Sequence, residues 1–297
     1  IVIKRNISTA SDSSRSARTF VGAVYYVSPN GDDSAEGTSF ESAWRTLRKA
    51  CFTALPGDTV LVSPGTYRHA ISPLCSGMEG GRIVFRRHGK GEAVIDGGAY
   101  AGPLVKLRSR SHVTVDGFSL VNLPPTGYPG VIGITGSDEV EILNCRTDNI
   151  ARDTGSCLEA TNAPNLVVRG NRFWGGANNL RFYGGCRNVE VSHNTIVKCN
   201  FFHVTAYGPI DGLRFHQNVW YLPCSQPKNN GNYLIRGEVK NFESDYNLYF
   251  SPYEHQKKIG TYQEDGTRRE TLAGEDLEEI GSDSIDAGSG SGSRMYM

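Results

Sequence analysis

Four stretches, LVVRGNRF (residues 166–173), VEVSHNTI (189–196), LRFHQNVW (213–220) and FESDYNLY (242–249), carry Asn171, Asn194, Asn218 and Asn247 at the same sixth position. Each couples a short alternating strand to an asparagine that turns inward. A unit of this size cannot bury its apolar face alone, so recurrence at about two dozen residues indicates a solenoid of stacked rungs. The phase extends upstream, where VTVDGFSL (113–120) and VEILNCRT (140–147) put Phe118 and Cys145 in the asparagine column. The intervals from Phe118 to Asn247 are 27, 26, 23, 24 and 29 residues, so the strands hold phase while the turns vary in length. An asparagine after a strand can bend the chain and bond its own backbone. Stacked at about 4.8 Å, it can also bond its equivalent one rung away.

A second column of strands precedes the first by about eight residues. It reads VKLR from Val105, IGIT from Ile132, LEAT from Leu158, RFYG from Arg181 or its neighbour, and FHVT from Phe202. Alternate residues face the core and the others face out. The links SRSH, GSDE and NAPN are turn sequences, and no long helical periodicity interrupts the region.

Composition agrees with one elongated all-β domain. A chain of 297 residues and 32.4 kDa is long enough for a substantial core, and 35 glycines suit many tight turns. Lys plus Arg and Asp plus Glu are both 31, so no global basic field argues for a nucleic-acid partner. No apolar run reaches the 18 to 20 residues or so that span a bilayer. The seven cysteines, at 51, 75, 145, 157, 186, 199 and 224, include no pair with structural zinc spacing. Cys145 reads as a small core residue. Cys51 with Cys75, or Cys199 with Cys224, are candidate bridges.

At the N-terminal side, YYVSPNGDDSAEGTSFESAWRTLRKACFTALPGDTVLVSPGTY (25–67) reads as a strand, a turn-rich loop, one helix and another strand. Trp44, Leu47, Ala50 and Cys51 share a helix face, and Pro56-Gly57-Asp58 ends it. Such a helix can cover the open end of a solenoid. This stretch, followed by GGRIVFRRHGKGEAVIDGG (80–98), resembles the opening of right-handed parallel β-helix proteins of the pectate-lyase-like superfamily, including their alginate and chondroitin lyase branches. The resemblance implies an all-β right-handed parallel β-helix with an N-terminal capping helix. The boundaries read as an arm over 1–22, the capped helix over 23–250, and an irregular segment with a tail over 251–297.

The superfamily contains lyases, hydrolases, epimerases and proteins without catalysis, so the fold does not fix the activity. The resemblance implies a secreted or cell-surface protein acting on an acidic polysaccharide or oligosaccharide, with calcium as the cofactor it allows. No family-like array of aspartates for calcium stands out in this chain.

The outward positions of the second column are the candidate site. In the alignment above, Lys106, Gly133, Glu159, Arg181 and His203 form one row, with Arg108, Thr135, Thr161, Tyr183 and Thr205 beside it. The bland reading is a solvated face with a Glu159–Arg181 salt bridge. The catalytic reading is a lyase groove for a uronate glycan. A uronate lyase must neutralise the substrate carboxylate, remove the C5 proton and protonate the leaving oxygen. Arg181 suits the first task, His203 or Tyr183 the proton transfers, and Glu159 the orientation of Arg181 or of a cation. A hydrolase needs two carboxylates, and Glu159 with Asp153 is the nearest pair. Lys106 and Arg108 extend the groove, Arg152 and Asp153 on the loop NIARDTGSC form its rim, and Tyr128 and Trp174 offer aromatic faces for sugar stacking. His193 and His216 read as structural or solvent-facing. A noncatalytic carbohydrate-binding or surface-structural solenoid is the competing class.

Overall fold

In the computed structural model, one rung places Val140–Leu143 on a first sheet, Arg146–Asp148 on a second and Ser156–Thr161 on a third. The next rung then restarts with Val167–Arg169 on the first sheet. The structure describes residues 22–98, 102–124, 130–148, 150, 155–224, 233–250, 260–264 and 267–270. Tyr128, Arg152 and Asp153 lie outside these residues. The three sheets contain ten, eight and eight strands, and equivalent strands of successive rungs pair in parallel. This is a parallel β-helix solenoid, as the repeat requires. The third sheet runs on past Phe250 into a segment whose sequence reads as irregular. There Gly260–Glu264 pairs with Tyr233–Arg236, and Thr267–Glu270 closes antiparallel on it.

Parallel register turns the apolar columns of the sequence into continuous buried files. Val115, Ile142, Val168, Val191 and Phe215 are register partners on the first sheet, and all are fully buried. Leu107, Ile134, Ala160, Phe182 and Ala206 form the matching file on the third. Each larger side chain so buried contributes about 1.5–3 kcal/mol of transfer free energy.

Between the first and second sheets the chain turns through a single left-handed residue. In successive rungs it is Gly117, Asn144, Gly170, His193, Gln217 and Tyr246, with φ between 50° and 85°. The bend therefore falls on the residue before each ladder position rather than on the ladder asparagine. The asparagine instead satisfies the backbone that the bend exposes. Asn171 Oδ1 accepts from the Cys145 N–H at 2.8 Å, and Asn194 Oδ1 does the same for Asn171. Asn218 and Asn247 continue the series, receiving the N–H groups of Asn194 and Asn218. Each side-chain amide also donates to a core-strand carbonyl, that of Ile142, Val168, Val191 or Phe215. All four asparagines are buried. Without these bonds the solenoid interior would hold an unpaired peptide group at every turn.

The N-terminal end is closed by the helix Leu47–Thr53, which buries Leu47, Ala50 and Cys51 against the first rungs. Thr46 caps it, its side chain accepting from the Lys49 N–H, and the Asp33 carboxylate accepts from Thr46 in turn. Trp44 shares the buried face but precedes the helix, bridging to Val27 and stacking on Tyr25 at 4.5 Å. Cys51 and Cys75 are both free, which removes that candidate bridge. Cys199 and Cys224 are register partners on neighbouring strands of the second sheet. Cys145 is a buried thiol of the core, where burial pushes its pKa up to about 12.

Candidate functional site on the third sheet

The outward side of the third sheet carries two parallel rows. Register pairs Lys106, Gly133, Glu159, Arg181, Thr205 and Leu234 in one, and Arg108, Thr135, Thr161, Tyr183, Tyr207 and Arg236 in the other. The structure thus brings Glu159 and Arg181 together with Tyr183 alongside, and sets Lys106 and Arg108 at the N-terminal end of the same face. Gly133 leaves a gap without a side chain between Lys106 and Glu159.

His203 is not on this face. It precedes the strand Val204–Tyr207 and is fully buried, its Nδ1 bonded to the Asn179 side chain and its ring 5.7 Å from that of Trp220. Asn179 donates its amide to the Gly175 carbonyl, so its Oδ1 is the acceptor and His203 the donor. Burial depresses the His203 pKa to about 3, which keeps the imidazole neutral in the core. The placement of His203 beside Arg181 is therefore corrected: Thr205 stands there, and Tyr207 takes the position assigned to Thr205. The cause is a longer corner between the second and third sheets. Asn200 and Phe201 donate their N–H groups to carbonyls of the previous rung at Gly176 and Ala177, which takes up residues before the strand resumes. The sequence did hold a signal for this register in the shared Tyr-Gly of Arg181-Phe-Tyr-Gly and Thr205-Ala-Tyr-Gly.

Glu159 Oε2 approaches Arg181 Nη1 at 3.8 Å, with both side chains mostly shielded from solvent. Burial raises the Glu159 pKa and the nearby guanidinium opposes that shift. A cation is thus held on the sheet beside a carboxyl that titrates above its ordinary range. In the adjoining row the Tyr183 and Tyr207 rings stack at 5.4 Å and 12°, and the Arg236 guanidinium lies 5.8 Å over the Tyr207 ring. Tyr207 and Arg236 belong to the site and were missed by the slipped alignment.

Trp174 lies on the second sheet, across the Gly175-Gly176 corner from the two rows. The residue is 38 % exposed, with the Arg172 guanidinium 5.3 Å from its ring. It is not part of the Glu159–Arg181 row. His216 is an exterior residue of the first sheet, 3.7 Å from Glu190 and in edge contact with His193. Among the described residues no group of three or more His, Cys, Asp or Glu side chains is arranged to hold a metal ion. Glu159 has an arginine as its charged neighbour, so the described part of the site does not fit calcium.

Comparison with known proteins follows the same architecture. The family described as "Right handed beta helix region" matches residues 98–248, just over half of the chain. The chain belongs to this right-handed β-helix family. It is 33% identical over 160 residues to "Pectate lyase L" of Dickeya chrysanthemi, covering 50% of this chain and 37% of that protein. It is 35% identical over 107 residues to "Uncharacterized protein YwoF" of Bacillus subtilis (strain 168), covering 34% of this chain and 23% of that one. The chain therefore spans well under half the length of these relatives. Among solved β-helix structures, that of XylC with xylose superposes with a TM-score of 0.52 at 12% identity, over 81% of this chain and 69% of the other. At that identity the likeness speaks for the fold alone.

Proposed function

We propose that this β-helix is a carbohydrate-active enzyme that binds an acidic, uronate-containing glycan along the third sheet and cleaves it by β-elimination. The observation that carries this reading is Arg181, a nearly buried guanidinium on the outward row beside Glu159, with the stacked Tyr183 and Tyr207 in the next row. A planar cation held in this way suits a sugar carboxylate, and binding there lowers the cost of charge developing at C5. Tyr183 is the candidate for proton transfer, now that His203 is a core residue. Glu159 orients Arg181. The tyrosine pair offers a face on which a sugar ring can stack. The similarity to a protein named pectate lyase supports the same substrate class. A polymeric substrate of this kind goes with a secreted or surface location.

A hydrolase reading draws on Glu159 itself, because a carboxyl with a raised pKa suits a general acid. Incubation with pectate, alginate and glycosaminoglycan, following both unsaturated products and new reducing ends, decides between them. Unsaturated ends support β-elimination. Reducing ends without unsaturation would remove it, and retention of glycan with neither product would leave a binding protein.

A further inference from the structure

Among the described residues, two polar atoms beside Arg181 are buried without a hydrogen-bond partner: Glu159 Oε2 and Thr205 Oγ1. They stand on the strands that flank Arg181, one rung to each side, as its register partners. The approach of Glu159 Oε2 to Arg181 at 3.8 Å is an ionic contact that leaves the oxygen able to accept a hydrogen bond. Thr205 points out of the sheet, since its neighbours Val204 and Ala206 fill the core, yet it is only 2 % exposed. A strand position of this kind is well served by valine, which has the same shape and no hydroxyl to desolvate. Burying an unpaired hydroxyl costs stability, and its presence asks for a ligand that completes it.

Resting on the uronate reading above, we propose that Thr205 is a specificity-determining residue of the site. Its hydroxyl and Glu159 Oε2 bond the sugar on either side of the carboxylate held by Arg181. The three groups define the chemistry of the occupant. It presents an anionic acceptor in the middle, a hydroxyl that donates to Glu159 on one side, and an oxygen that engages the Thr205 hydroxyl on the other. That is an unesterified uronate unit with its hydroxyl groups free, and a methyl-esterified or O-acetylated glycan fails to satisfy it. Sites built around a buried hydrogen-bonding group discriminate strongly against ligands that leave it unpaired.

The test uses the whole chain with Thr205→Val and Thr205→Ser, and saturated uronate oligosaccharides as the probe in calorimetric titration. Thermal melting is measured on the same samples. Thr205→Val is expected to weaken binding by about tenfold while melting at or above the wild-type temperature, and Thr205→Ser to bind as wild type does. A merely structural threonine does not give lost affinity together with unchanged or raised stability. Wild-type affinity in Thr205→Val overturns this inference and leaves the uronate reading standing. Equal weakening in both variants also overturns it, because the hydroxyl that Thr205→Ser keeps would then not sustain binding. Failure of the wild-type protein to bind any uronate oligosaccharide overturns the parent reading and this inference together.

Discussion

Asn194 Oδ1 accepts two hydrogen bonds from Asn171, one from its backbone N–H at 2.8 Å and one from its side-chain amide at 3.0 Å. The same side chain donates to the Val168 carbonyl at 2.9 Å. Asn194→Ala leaves the buried Asn171 N–H without its acceptor and takes a donor from the buried Val168 carbonyl in the middle of the ladder. With each unmet group costing about 1–3 kcal/mol, the variant is expected to lose about 2–4 kcal/mol in denaturant unfolding. A loss below about 1 kcal/mol would show that the ladder does not hold the rungs together.

Arg181 and Glu159 are coupled, so their substitutions are not independent. Arg181→Lys keeps the charge but loses the planar fork that fits a carboxylate. It is expected to lower kcat/KM on a uronate polymer by about a hundredfold. Arg181→Ala also removes the group that opposes the upward shift of Glu159, so that carboxyl should titrate still higher. Carboxyl titration followed by NMR, alongside steady-state rates, reads both effects. Wild-type turnover in Arg181→Lys would take Arg181 out of the chemistry.

The files of buried residues and the asparagine column were legible because both obey the strand period and the rung period, which side-chain chemistry writes directly into the sequence. The left-handed residues at His193, Gln217 and Tyr246 were not, since no residue preference marks them as glycine would. The register of Thr205 was lost for a related reason. A hydrophobic-polar-hydrophobic triplet fits Phe202-His203-Val204 as well as Val204-Thr205-Ala206, and only the length of the corner decides. Histidine also has two readings, as an outward catalytic group or a buried neutral one. Which applies depends on Asn179 and Trp220, residues that only the fold brings to it.

His203 makes the stability of the protein depend on acid. Its folded pKa of about 3 lies below the unfolded value of 6.5, so between these values the unfolded chain binds a proton that the folded chain does not. The stability it contributes is present above pH 6.5 or so and is lost as pH falls toward 3, at up to about 1.4 kcal/mol per pH unit. His203→Gln keeps a donor for Asn179 and removes the titration. Urea unfolding at a series of pH values should therefore show a shallower acid dependence in the variant. Identical slopes would mean that His203 is already protonated in the fold.

Tyr207 lies between Tyr183 at 5.4 Å and the Arg236 guanidinium at 5.8 Å, so it is the central member of a stack that runs along the solenoid axis. Its neighbours on both sides depend on its ring rather than its hydroxyl. Tyr207→Phe should therefore leave the stack intact, whereas Tyr207→Ala removes the face and frees Arg236. The stack starts at Tyr183 on the rung of Arg181 itself, passes through Tyr207 one rung on and ends at Arg236 on the rung after that, so with rungs about 4.8 Å apart its far end is reached only by a longer glycan. Tyr207→Ala is expected to weaken binding of long uronate oligosaccharides by about tenfold, the effect of an aromatic contact worth about 0.5–1.5 kcal/mol. Binding of a single uronate unit at Arg181 should hardly change. Affinities measured across a series of chain lengths separate the two effects. Equal loss at every length would place Tyr207 in the reacting centre and not in an extension of it.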